Sequence, residues 1–161
     1  MALTTNVNFL QPTGFKLIVN REHYPNLNFF CQSVQHGSVT VPQADLGYSR
    51  IRLKEPGDTI QYADVTFDIL LDENLEVYKE IHKWLVDTVQ TNKQGGIPTE
   101  APLVTSISLV VLNSHSNPSS TITYHRAYPI DMGTMNLTSN AGALQYITLP
   151  VTFVYDYFEI T

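Results

Sequence analysis

Over residues 64–85 the chain reads DVTFDILLDENLEVYKEIHKWL, and its hydrophobic period changes from two to a helical value within a few positions. Such a switch restricts the fold tightly, because alternation suits a half-buried strand whereas steps of three and four suit one face of a helix. Val65, Phe67, Ile69 and Leu71 share one face of the first part, with Asp64, Thr66 and Asp68 on the other. In the second part Val77, Ile81, Trp84, Leu85 and Thr88 recur at helical spacing, which predicts one amphipathic helix over about 73–89. Asp72 or Asn74 is placed to cap it, Glu73 and Glu76 suit its positive end, and Gln94, Gly95, Gly96 and Pro98 end it.

No other segment is as helical, so the expected class is mainly β with one flanking helix. Residues 15–19 and 27–34 are apolar, β-branched and aromatic runs around the turn-prone Tyr24, Pro25 and Asn26, which predicts a hairpin or two neighbouring strands. Ile51 and Leu53 alternate with Arg50, Arg52 and Lys54, after which Pro56, Gly57 and Asp58 turn the chain back toward a strand at 62–71. Strands are predicted at 105–112, at 120–128 and at 145–160. Pro150 lacks an amide proton, so the last of these is expected to be bulged or to run along an edge there. The candidate core comprises Phe67, Ile69, Ile81, Trp84, Leu85 and Phe153, with Trp84 packed on the sheet rather than serving as a ligand platform.

With 161 residues, 43% of them apolar, the chain is long enough for one core, and residues 1–161 are read as a single domain. No apolar run approaches the ~18 residues of a membrane span, and residues 1–8 lack the basic and apolar parts of a signal peptide, so no membrane partner is expected. Cys31 is the only cysteine and sits in an apolar run, which makes it a core filler rather than a nucleophile. The net charge of −6 falls mainly on residues 61–100, which hold three Lys/Arg against eight Asp/Glu. A net acidic chain argues against tight phosphate binding. Arg50, Arg52 and Lys54 form the one basic cluster, and without interleaved aromatics it reads as a solvated or partner-facing strand rather than a nucleic-acid site.

Catalytic chemistry is not called for. His23, His36, His82, His115 and His125 show no metal-ligand spacing, and Asp68, Asp72, Glu73 and Glu76 lack the pattern of a calcium loop. No third group orients a Cys31–His36 pair, and no Lys-Ser/Thr follows Gly95 and Gly96 as a phosphate loop requires. The expectation is therefore no catalytic residue, no cofactor and no metal. Asn136, Leu137 and Thr138 match the glycosylation triplet, which is frequent by chance.

Three stretches together carry a resemblance: NFFCQSV at 28–34 followed by Val41 and Pro42, the 64–85 segment, and ITLPVTFVYDYFEI at 147–160. In their order and spacing they resemble the tail-tube proteins of contractile-tailed bacteriophages. The resemblance covers most of the chain, and it rests on apolar patterns such as the late Trp84 and the Asp156, Tyr157, Phe158 ending rather than on a chemical signature.

That resemblance implies an antiparallel β-sandwich or partly closed barrel whose copies form hexameric rings that stack into a tube. It implies further copies of itself, tail sheath and baseplate proteins as partners, and DNA passing through the lumen during ejection without specific binding. A virion location follows, after synthesis in the host cytoplasm. Residues 1–13 are expected to be an N-terminal arm that orders on assembly, and 35–61 a long connection reaching another subunit, with Arg50, Arg52 and Lys54 meeting acidic groups there. A tube initiator at the baseplate or a tail terminator, in one ring per virion, would share the fold. A carbohydrate- or ligand-binding β-sandwich is the rival from another class, prompted by Tyr24, Tyr48, Tyr124 and Tyr128.

Overall fold

A computed structural model describes residues 10, 12–19, 26–27, 31–48, 51–93, 104–138 and 146–161, with the backbone alone at 46, 48, 51, 53 and 90–93. Its elements in chain order are β1 (Phe15–Ile18), β2 (Cys31–Gln35), β3 (Val39–Thr40), β4 (Gln43–Tyr48), β5 (Ile51–Pro56), β6 (Gln61–Tyr62), β7 (Val65–Leu70), α1 (Glu76–Lys93), β8 (Thr105–Leu112), β9 (Pro118–Met132), β10 (Thr148–Val154) and β11 (Tyr157–Ile160). The mainly β, one-helix architecture follows from the period switch described above.

Seven strands form one antiparallel sheet in the order β1-β8-β9-β10-β7-β2, with β11 also paired to β9. The sheet turns a corner within β9. The first part of that strand pairs with β8 and β11, and residues from Tyr128 onward pair with β10. Two irregularities let it turn: Arg126 has φ 55, and Ile130 is an extra residue opposite the Thr152/Phe153 step of β10. Opposite the corner the partner strand breaks as well, β10 ending at Val154 and β11 starting at Tyr157. The two halves contribute to one core, in which Leu17, Ile107, Leu109 and Tyr124 come from the first and Val65, Phe67, Ile69, Leu149, Val151 and Phe153 from the second. β1 and β2 do not pair with each other, so among the described residues the barrel stays open.

Helix α1 covers the core on its Val77, Ile81 and Trp84 stripe, all at most 1% exposed. Leu85 is half-buried against the same cluster. Phe153 takes an edge-to-face contact with Phe67 at 5.3 Å and another with Trp84 at 5.7 Å, so the sheet and helix meet on three aromatic rings. Burial of each such side chain contributes about 1.5–3 kcal/mol.

Several expectations are corrected. The helix begins at Glu76 rather than near 73, because Leu75 has φ 55 and its amide bonds the Asp72 carbonyl at 3.1 Å in a tight turn. Of the two capping candidates it is Asp72 that serves, its Oδ2 accepting the Glu76 amide at 3.2 Å. Desolvation pushes the Asp72 carboxyl up, but the backbone amides of Glu76, Asp72, Val77 and Asn74 outweigh it and hold the group below the usual carboxylate range. The helix runs on to Lys93, and the stop signals at 94–98 lie outside the described residues.

The segments at 15–19 and 27–34 are not a hairpin; β1 pairs with β8 and β2 with β7, at opposite ends of the sheet. The closing run at 145–160 is two strands, and β10 is central rather than an edge. Pro150 fits because its carbonyl, and so its missing amide, faces the β9 side just before that ladder starts at Val151, where it accepts the Gly133 amide at 2.8 Å. Strand β5 takes β4 as its partner.

Candidate assembly interface

Between β2 and β7 the chain leaves the body as a ribbon. β3 pairs with β6, and beyond them β4 pairs with β5 from Gln43 opposite Pro56 to Tyr48 opposite Ile51. The two pieces join at an elbow where the Gly57 amide bonds the Pro42 carbonyl at 2.7 Å. A Cβ on Gly57 would lie 2.6 Å from that carbonyl oxygen, so the elbow needs glycine for close backbone approach.

Arg52 and Lys54 lie on β5, exposed, while Arg50 and the N-terminal residues 1–9 and 11 lie outside the described residues. The ladder separates the two cations. Lys54 shares its rung with Asp45, whereas Arg52 shares its rung with Gly47, which offers no side chain to offset the charge. Alternate rungs carry apolar residue types, Leu46 opposite Leu53 and Tyr48 opposite Ile51. At the elbow Val41 and Ile60 are 48% and 56% exposed, an apolar surface that no described part of the chain covers.

The half-sheet β2-β7-β10-β9 has a second distinctive surface. Its inner rungs are buried, and its outer face carries Ser33, Gln35, Thr66, Asp68, Thr152 and Asp131 with no Lys or Arg. Ser33 Oγ donates to Asp68 Oδ2, and the Thr66 and Thr152 hydroxyls lie 3.5 Å apart. Both margins are open among the described residues. β2 has only β7 beside it, and the Tyr128–Met132 end of β9 has only β10.

The sites weighed from the sequence sort as follows. Phe67, Ile69, Ile81, Trp84 and Phe153 are at most 1% exposed. Burial first, and then the Asp68 carboxylate, push the Cys31 thiol up to about 12, so it stays neutral. Among the described residues no group of His, Cys, Asp and Glu is arranged to hold a metal, and no helix is long and apolar enough to cross a membrane. Of the tyrosines that prompted the carbohydrate alternative, Tyr124 is fully buried rather than presented to a ligand, and Tyr24 and the Tyr48 side chain lie outside the description.

Sequence reasoning missed the root of the ribbon. There His36, Tyr62, Tyr124, Tyr155 and Phe158 gather from β9, β11, the β10-β11 break, β6 and the link between β2 and β3, with His36 and Phe158 centroids 4.9 Å apart and Tyr124 and Tyr155 also 4.9 Å apart. The dense aromatic ending at 155–158 was its only visible signal.

Among the described residues the chain is an open antiparallel sandwich with one covering helix, two bare sheet margins and a projecting ribbon. The phage tail tube protein family matches residues 1–161, and the chain belongs to that family. No curated protein sequence matches it. Among solved structures, a chain of the sheath-tube complex of an extracellular contractile injection system, in its extended state, aligns with TM-score 0.69 at 12% identity, covering 99% of each chain. A chain of the anti-feeding prophage tube-terminating cap gives TM-score 0.69 at 13% identity over 100% of this chain and 99% of that one. One from the anti-feeding prophage baseplate gives 0.63 at 14%, covering 100% and 97%.

Proposed function

We propose that the chain is a structural subunit of a contractile tail, forming hexameric rings that stack into the tube through which DNA leaves the particle. The observation that carries this reading is the pair of open margins on the β2-β7-β10-β9 half-sheet. Its four strands alternate in direction, so β2 of one copy set beside the Tyr128–Met132 end of β9 in the next continues the antiparallel order. Repetition around an axis closes the sheet into a barrel and removes every edge. The outer face of that half-sheet then lines the channel. With Asp68 and Asp131 as its acids, and hydroxyls, the Gln35 amide and the side chains of Leu70, Val154 and Tyr128 beside them, that face offers a polyanion no cation to bind. The ribbon projects from the margin and meets a subunit of the adjacent ring through Arg52 and Lys54, with sheath and baseplate proteins as further partners.

Negative-stain electron microscopy of the purified protein tests this reading. Six-fold rings or tubes are expected, and a strictly monomeric protein at high concentration rejects the major-tube role. The fold is shared with a cap and a baseplate component, which supports one alternative: a tube initiator or terminator present in a single ring. Copy number in purified particles separates the two.

A further inference from the structure

The ribbon is fixed where it leaves the body. The Ala63 amide donates to the Ser38 carbonyl at 2.9 Å, and the Tyr155 hydroxyl donates to the Ala63 carbonyl at 2.8 Å. Gly37 presses on the same strand so closely that a Cβ would lie 2.1 Å from the Ala63 oxygen. His36 then reaches back, its Nδ1 2.7 Å from the Tyr124 hydroxyl and its ring edge-on to Phe158. Tyr62, from the other ribbon strand, packs on Phe158 at 5.3 Å and Tyr155 at 6.1 Å.

We propose that this aromatic hub sets the direction in which the ribbon leaves the body, and that His36 is the positioning residue which makes that setting acid-sensitive. Tyr124 is fully buried, and among the described residues His36 is its one hydrogen-bond partner. In the Nε2–H tautomer of neutral His36, the one that gives the buried phenol an acceptor, the phenol donates to the bare Nδ1. Once both ring nitrogens carry protons, the Tyr124 O–H has no acceptor among the described residues, and a cation sits against the Tyr124 hydroxyl and the Phe158 ring. His36 as a residue is exposed, so the proton has a path in.

Among the described residues no ion pair is made by His36, and burial is the effect that acts on it. Of the titratable groups in the hub, Tyr124 from β9 meets His36 directly, while Tyr62 from β6 and Tyr155 from the strand break pack on Phe158 behind it; burial raises Tyr124 and Tyr155, which keeps both neutral. Asp64 acts on Tyr155, and His125 and Glu159 occupy the rungs that alternate with Tyr124 and Phe158, on the other face. Burial lowers the His36 pKa, so the pinned form is favoured above the free histidine range and loses ground as pH falls through it.

The hinge is tested on the full chain below its association concentration, and its consequence for assembly rests on the tube reading. Amide protection of the ribbon, corrected for intrinsic exchange and referenced to β8, is compared at about pH 7.5 and about pH 5.5, either side of the free histidine value of about 6.5. One pH unit below that value admits a loss of at most about tenfold, and a ribbon-specific loss of about three- to tenfold is expected. His36→Phe keeps a ring in the hub but takes no proton, and its ribbon is expected to show no acid response. Tyr124→Phe, which removes the hydroxyl that would be stranded, is expected to reduce the response while leaving β8 unchanged. An unchanged native ribbon at the lower pH, or the same acid loss in both variants, overturns the proposal. Tube formation followed by light scattering over the same pH range is expected to fall with ribbon protection. If the hinge responds while assembly does not, the ribbon's role in the tube fails and the hinge stands.

Discussion

Strands β7 and β5 are both six residues long, and both are paired antiparallel rung by rung, yet they live under different physics. On β7, Val65, Phe67 and Ile69 are wholly buried, with β2 on one side and β10 on the other. On β5, Arg52 and Lys54 lie in solvent, and among the described residues β4 is the single partner. Backbone bonds alone hold a two-stranded ribbon only marginally in water, since each exchanges a water partner for a protein one. The body is therefore stabilised from within, whereas the ribbon depends on its root and, under the tube reading, on a neighbour.

The largest effect that separates the two regions is expected at Trp84. Its replacement by Ala removes the helix side of the contact with Phe153 and is expected to cost about 3–5 kcal/mol in urea unfolding. Loss on this scale should weaken β7 and β8 together, because they share one core. A cost below about 1 kcal/mol would mean that the helix is not integral to the body.

At the boundary the expected effects are smaller and more local. Gly37→Ala forces a methyl toward the Ala63 and Asp64 carbonyls, and overpacking of this kind costs about 1–3 kcal/mol. Amide exchange should show the loss first at β3 and β6, with β8 unaffected. Tyr155→Phe removes one hydrogen bond to the Ala63 carbonyl and is expected to cost about 1 kcal/mol. If either change destabilised β8 as much as β3, root and body would be one cooperative unit and the contrast would fail.

The same contrast explains what could be read in the sequence. Body elements announce themselves through burial, which imposes a period, and so the strand at 65–70, the helix after it and the strand at 105–112 are visible in a single chain. Helix start and strand partners are less legible. Leu75 takes a left-handed turn that its residue type does not signal, and β1 and β2 look like a hairpin because adjacency in sequence says nothing of the five strand pairings that separate them in the sheet. The ribbon's basic residues are readable as a strand face, but its root is not. His36 and Tyr124 are 88 residues apart, and Gly37 carries no periodic signal at all.

The smallest expected effect on stability falls on the ribbon, and it is the one that bears most on function. Arg52→Glu changes an exposed side chain whose rung partner is Gly47, so unfolding free energy should move by no more than about 0.5 kcal/mol. Lys54→Glu is a poorer probe, because it places a second carboxylate opposite Asp45 and strains the hairpin itself. If the ribbon is a contact between rings, Arg52→Glu leaves the monomer's unfolding curve intact and abolishes tube growth, and the defect persists at low salt, where an attraction has become a repulsion. Growth at the native rate, measured by light scattering and microscopy, would show that the exposed cation face of β5 meets no acidic partner, and the contrast between body and ribbon would then be one of stability alone.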